Sequence, residues 1–260
     1  MKVIALVKQV PDTKDQRFSD QNTVVREGLD LICNPYDEYV IEESVRLKER
    51  FSFEAVALSM GKNSAQDLLR FAISVGVDKG VLVSDPALAG SDLLATGIIL
   101  SKAIEKLGLY DLILVGKQSS DGENGVLGFA IAEFLGIPAV ADVKKIVSIE
   151  KGAAVVEKWV SGGHYEIEVQ LPALLSVVKE INEPRLPSLK GKMASKSAQI
   201  PVWTLQDLAL NGRDFGASGA RTKVIGISEP AKKQGVRIFD GAVDESVDAL
   251  VRELISRKLI

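Results

Sequence analysis

With 260 residues, 46% hydrophobic and 26% charged, the chain can bury a sizeable core, as one large domain or as a domain with an appendage. Its 32 basic and 35 acidic residues leave a formal net charge of −3, which gives no electrostatic footprint for nucleic acid or an anionic membrane, so small molecules and proteins are the expected partners. A single cysteine, Cys33, and a single histidine, His164, exclude an internal disulfide framework and offer no convincing metal site or nucleophile pair.

The opening run MKVIALVKQV has too few apolar residues before Lys8 for a signal-peptide core or a membrane span, so a soluble cytoplasmic protein is expected. Val3 to Val7, Ala55 to Ser59, Gly80 to Ser84 and Leu112 to Val115 are short and apolar on both faces, as buried parallel strands must be. Between them, Tyr36 to Arg50, Ser64 to Val75, Ser91 to Leu107 and Gly125 to Leu135 carry apolar residues at spacings of three and four and read as crossover helices. Ser91 with Asp92 can cap the third helix, while Gly76 and Gly108 can close the second and third.

After Pro138 the texture changes. Lys144 to Ile149, Ala154 to Trp159 and Tyr165 to Leu171 nearly alternate around Ser161-Gly162-Gly163, which predicts an antiparallel hairpin, and Ala173 to Val178 reads as one more buried strand. From Ile181 to about Pro201 the Pro, Lys, Ser and Gly content predicts a loop. A helical turn near Thr204 to Ala209, a Gly-rich stretch from Asn211 to Gly219 and a helix from about Asp244 to Lys258 are too sparse for a second core. The expectation is an α/β fold: a Rossmann-like, mostly parallel sheet flanked by helices in residues 1–187, and an extended C-terminal arm in 188–260 that needs a partner surface.

Ligands bind open parallel sheets at the carboxyl ends of strands. GKQSSDGENGVLG, after the fourth strand, feeds a helix there: Gly116, Gly122 and Gly125 permit close backbone approach, and Gln118, Ser119, Ser120, Asp121 and Asn124 can bond a ribose or adenine. It is neither GxGxxG nor GxxxxGK[ST], and taken alone it also reads as an ordinary strand-to-helix turn. In ICNPYDE, Asn34, Pro35 and Asp37 fit a simple helix start. VKQVPDT, Val7 to Thr13, is long enough to reach over a bound group, with Lys8 read as a solvated strand-end lysine. Cys33 reads as a small filler, His164 as a hairpin-tip residue, and Trp159 and Trp203 as packing residues. In INEPRLPSLKGKMASKS, an apolar residue beside Glu183 and Arg185 in a Pro-punctuated loop suggests an exposed interface anchor.

Together, VKQVPDT, NPYDEYVIEESVRLKE, SMG followed by LRFAISVGVDKG, GKQSSDG and VKEINEPRLPSLKGKM resemble the beta subunit of electron transfer flavoproteins, in order and spacing, over nearly the whole chain. That resemblance implies an alpha-subunit partner holding the redox-active FAD, and a C-terminal arm reaching across it. It also implies an AMP buried in this subunit, at the positions matching Leu6, Asn34, Met60 and the run Gly116 to Leu127, including Val126. The segment Ile181, Asn182, Glu183, Pro184 and Arg185 is then expected to dock acyl-CoA dehydrogenases through Ile181, with a quinone oxidoreductase downstream. No catalytic residue and no metal is implied. An alternative within the family is a bifurcating member, with a second FAD in place of AMP and NADH as donor. VKQVPDT and SDPALAGSD lean toward that type and INEPR toward the simple one. Glu123 to Leu127 departs from both, which usually have Gln or Thr near Val126 and Leu127. A nucleotide-binding module of the universal-stress type is the alternative outside the family.

Overall fold

The computed structural model describes residues 1–12, 28–226, 228 and 238–260, with the backbone of 17–18 and 24–25; Thr13, in the loop after the first strand, lies outside the described residues. In chain order the elements are β1 (Lys2–Leu6), β2 (Gln9–Pro11), β3 (Arg17–Phe18), β4 (Val24–Val25), β5 (Leu31–Cys33), α1 (Pro35–Phe51), β6 (Glu54–Met60) and α2 (Gln66–Val75). There follow β7 (Lys79–Val83), α3 (Leu93–Leu107), β8 (Leu112–Gly116), α4 (Leu127–Leu135), β9 (Ala139–Glu150), β10 (Ala153–Val160), β11 (Gly163–Gln170) and β12 (Ala173–Val177). The last are α5 (Leu189–Ser197), β13 (Val202–Trp203), α6 (Gly216–Gly219) and α7 (Val243–Ser256).

The runs that are apolar on both faces become the centre of a nine-stranded sheet ordered β11-β10-β9-β12-β8-β1-β6-β7-β13. Strands β12 through β13 in that order run parallel. Strand β9 pairs parallel with β12, then antiparallel with β10, so the expected hairpin extends the main sheet. Because strand side chains alternate, Val3, Ala5, Ala55 and Ala57 pack in the core cluster that includes α1 and α2 residues. Ile4, Leu6, Val56 and Leu58 face the other way, into the cluster built by α3 and α4. The expected caps form: the Asp92 carboxylate accepts from Ala95 N at 2.9 Å, and Gly76 and Gly108 close their helices at positive φ.

The loop predicted from Ile181 to Pro201 contains a helix, α5, whose formation depends on tertiary contact. Ser188 Oγ accepts from Gly191 N at 3.0 Å. A Cβ on Gly191 would collide with the Ser74 carbonyl of α2, and Arg70 Nη1 donates to Ser195 O at 2.7 Å and Ala198 O at 3.0 Å. Propensity alone would not favour LKGKMASKS, so packing on α2 decides. Beyond it, β13 adds to the sheet beside β7, and Leu205, Leu208 and Phe215 are buried in the second cluster. Residues Met1–Ile225 thus form one compact unit, and Gly226–Ile260 a second that contains α7. Helix α7 buries no residue and exposes Val247, Leu250, Val251 and Ile255.

Candidate functional site

The chain passes from β1 to β6 and β7 on one side, then returns to β8 on the other. The carboxyl ends of β1 and β8 therefore flank a topological switch point, where open α/β sheets leave a crevice for ligands. The two loops read separately in the sequence join here: β2 pairs antiparallel with β5, and Asn34 N donates to Lys8 O at 2.9 Å.

Pro35 starts α1, but the Asn34 side chain does not cap it. It reaches the loop after β8 instead, donating to Gln118 O at 2.9 Å and accepting from Ser120 N at 3.0 Å. Asp37, 5% exposed, accepts from Lys8 N at 2.7 Å and from the Gly116 amide. Burial pushes its carboxyl up to about 7, against the pull of those N–H donors, Asn34 and the Lys8 charge. Gly116 is required: a Cβ there would lie 2.5 Å from Asp37 Oδ1 and 2.9 Å from Tyr36 Cβ. Lys8 keeps a side chain that is 41% exposed but is also paired, its Nζ sitting 2.5 Å from Asp121 Oδ1 and 3.4 Å from Ser119 Oγ. It sits between β1 and β2, next to the β2–β5 ribbon.

Sequence reasoning placed Asn34, Gly116, Gln118, Ser119 and Asp121 at one site, and the fold brings them together. It undervalued Asp37 and Lys8, whose signal was their position at the ends of the two loops. Gly125 adopts φ +62°, and a Cβ there would approach Lys117 O to 3.2 Å. Helix α4 begins at Leu127 without a side-chain cap; Asn124 Oδ1 receives only a long 3.4 Å contact from Val126 N. Its first-turn amides point to no partner in their own helix, the arrangement that accepts a phosphate. Gly128 lets α4 lie close on β8, because a Cβ would come 2.7 Å from Val115 Cγ2. Leu6 is buried, and half-buried Met60 and Leu127 pack on the same apolar cluster. Gly122, Asn124 and Val126 are exposed. Ser120 Oγ is buried without a hydrogen-bond partner. The glycines of the loop and the open helix start have the makeup of an anion site.

The NEPR segment lies farther along α1. Asn182 Nδ2 donates to Tyr39 O at 2.9 Å and Glu43 Oε2 at 3.1 Å. Arg185 makes paired bonds to Glu42, at 2.8 and 3.0 Å, and to Glu49, at 2.6 and 2.9 Å. Glu42, pushed up by burial, is nonetheless held below the usual carboxylate range by Arg185 and Arg46. Glu183 is exposed, and Pro184 half-buried. The exposed anchor expected at Ile181 is corrected: that side chain is 9% exposed and belongs to the first core cluster. The turn Lys179–Ile181 packs against β9 and α1, and Asn182 draws the following backbone onto α1.

A family model described as the electron transfer flavoprotein domain matches residues 21–208. The chain is 40% identical, over the full length of both proteins, to the electron transfer flavoprotein subunit beta of Thermoanaerobacterium thermosaccharolyticum. It belongs to the electron transfer flavoprotein family. The subunit beta of Megasphaera elsdenii is 35% identical over the full length of both chains. So is the Acetobacterium woodii protein named caffeyl-CoA reductase-Etf complex subunit CarD. As an electron transfer flavoprotein beta subunit, the chain leaves no place for the universal-stress reading. Among the described residues there is no group that could hold a metal, and no helix long and apolar enough to cross a membrane.

Proposed function

We propose that the chain is the beta half of a cytoplasmic heterodimeric carrier that takes electrons from acyl-CoA dehydrogenases and delivers them to a quinone oxidoreductase. The carrying FAD is held mainly by an alpha subunit, and an AMP sits in the crevice between β1 and β8. The observation that carries the reading is the switch-point cluster beside an uncapped α4, in which Asn34 and Asp37 hold backbone groups of Gln118, Ser120 and Gly116 and Lys8 pairs with the Asp121 side chain.

The chain's residues bind and position. The first amides of α4 and the Gly125 turn receive phosphate, Ser120 and Gln118 meet ribose or adenine, and Leu6 and Met60 supply an apolar floor. FAD, when bound, supplies the reversible electron uptake that no side chain here provides. The exposed apolar residues of α7, at helical spacing, fit an arm that covers itself on the alpha subunit.

A second reading is a second FAD in the same crevice with NADH as donor. It is favoured by the VKQVPDT segment, whose β2 pairs with β5, and by the turn 85–92, both after the carboxyl ends of parallel strands. Co-expression with the alpha subunit, denaturation and chromatography of the released cofactors separates the two. One FAD and one AMP per heterodimer supports the simple carrier; two FAD and no AMP replaces it with the second reading.

A further inference from the structure

Strand β9 carries an extra residue near its start. Val140 faces Leu175 of β12 and Val143 faces Val177, so Ala141 and Asp142 stand opposite the single residue Ser176. A bulge of this kind re-aims the side chain that it carries. Asp142 takes φ +55° there. Among the described residues, the other non-glycine positions with positive φ, Ser52, Glu123, Lys151, Ala209 and Lys258, lie in turns, in loops or at helix ends, and Asp142 alone lies within a strand. Left-handed backbone is disfavoured for a residue with a Cβ, and a strand holds it only where the surroundings fix it.

The carboxylate aimed in this way pairs with Lys117, whose Nζ lies 3.0 Å from Asp142 Oδ1. Lys117 directly follows β8, and β12 lies between β8 and β9 in the sheet, so the pair spans the carboxyl end of β12. Val177 pairs with Gly116 on one side and Val143 on the other, which sets the bulge level with the start of the switch-point loop. Residue 117 bears on the crevice through its backbone: its carbonyl oxygen is the atom that a Cβ on Gly125 would approach most closely, at 3.2 Å. It is thus the floor of the turn that leads into the uncapped α4. Asn34 and Asp37 of the α1 side hold the loop from one direction, and Asp142 holds its Lys117 from the other.

We infer that Asp142 is a positioning residue for the nucleotide crevice: through Lys117 it fixes the base of the Gly125 turn and keeps the lysine turned toward β9, so that backbone amides and not this side chain meet the phosphate. The inference rests on the AMP reading above and deepens it.

The test loads the purified heterodimer with radiolabelled AMP and follows its exchange against excess unlabelled AMP, with the melting temperature recorded at saturating AMP. Asp142→Gly suits φ +55° and removes the carboxylate, so exchange should quicken about fivefold, the upper range for a part-exposed ion pair, while the melting temperature does not fall. Lys117→Met should quicken exchange to the same degree, and the double variant no further, because all three lose one and the same contact. Asp142→Asn keeps a residue that tolerates the left-handed backbone and an oxygen for Lys117 Nζ, so exchange should quicken only about twofold. Exchange at the wild-type rate in Asp142→Gly and Lys117→Met overturns the inference and leaves the AMP reading standing. Slower exchange in Asp142→Gly overturns it as well, since the released lysine would then be holding the phosphate. Faster exchange in Asp142→Gly with a lower melting temperature reduces the pair to a contact of the fold and also overturns it. A wild type that binds no AMP overturns both readings.

Discussion

Asp37 and Glu42 lie little more than one turn apart on α1, 5% and 1% exposed, yet they are held in different electrostatic states. Asp37 faces backbone amides and a lysine that is paired to another carboxylate, and burial raises it to about 7. Glu42 is grasped by two guanidiniums and stays below the usual range. Burial disfavours both charges, and the partner decides the outcome. The difference divides the helix: its first turn ties the crevice loops together through neutral donors, and its later turns clamp the NEPR segment through ion pairs.

The crevice end should be the harder of the two to perturb without loss of the whole site. Gly116→Val forces atoms onto Asp37 and Tyr36, so the largest expected effect is loss of folded, nucleotide-loaded heterodimer, measured by yield and nucleotide content. At the other end Ile181→Ala empties a core position and should cost about 2–4 kcal/mol in denaturant unfolding; a loss below about 0.5 kcal/mol would mean that the side chain is not core. Glu42→Gln leaves Arg185 with Glu49 and solvent, so a smaller loss of about 1–2 kcal/mol is expected, discounted because Arg185 is part-exposed. Amide exchange at 182–186 should rise with it.

The acid–base contrast gives a subtler break. Asp37 has an ordinary value of 3.8 and a folded value of about 7, so protonation favours the folded state. That contribution is full below about pH 4 and is lost as pH rises through about 7. In Asp37→Asn it disappears, and the melting-temperature difference should shift in the variant's favour as pH rises from about 4 to about 7. A difference independent of pH would remove Asp37 as the titrating group. The smallest effect is expected at Asp92, whose carboxylate caps α3 and accepts from Arg221 N, Thr222 N and Thr222 Oγ1. Asp92→Asn should loosen the segment at 221–222, read as faster amide exchange there, with little change in melting temperature.

The sheet was legible because each central strand is apolar on both faces, and the crossover helices because their period is unambiguous. The switch-point loop was legible as glycines and small polar residues between a strand and a helix. What the sequence concealed depends on distant contacts. Helix α5 forms because Ser74 and Arg70 receive it, and nothing within LKGKMASKS says so. Lys8 reads as any strand-end lysine until the β2–β5 pairing places it beside Asp121. Ile181 looks like an anchor next to Glu183 and Arg185, but only the packing of its turn on β9 and α1 shows that it folds inward. Leu186, separated from it by the NEPR residues, is the side chain left outside.

The central claim is that the crevice between β1 and β8 holds a nucleotide. The most direct measurement is the nucleotide released on denaturing the wild-type heterodimer and its Gly125→Val variant, in which a side chain is forced into the φ +62° turn beside Lys117 O. The account predicts one AMP per wild-type heterodimer, lost in the variant, with one FAD retained in both. AMP retained by Gly125→Val, or no nucleotide beyond the single FAD in the wild type, would contradict it.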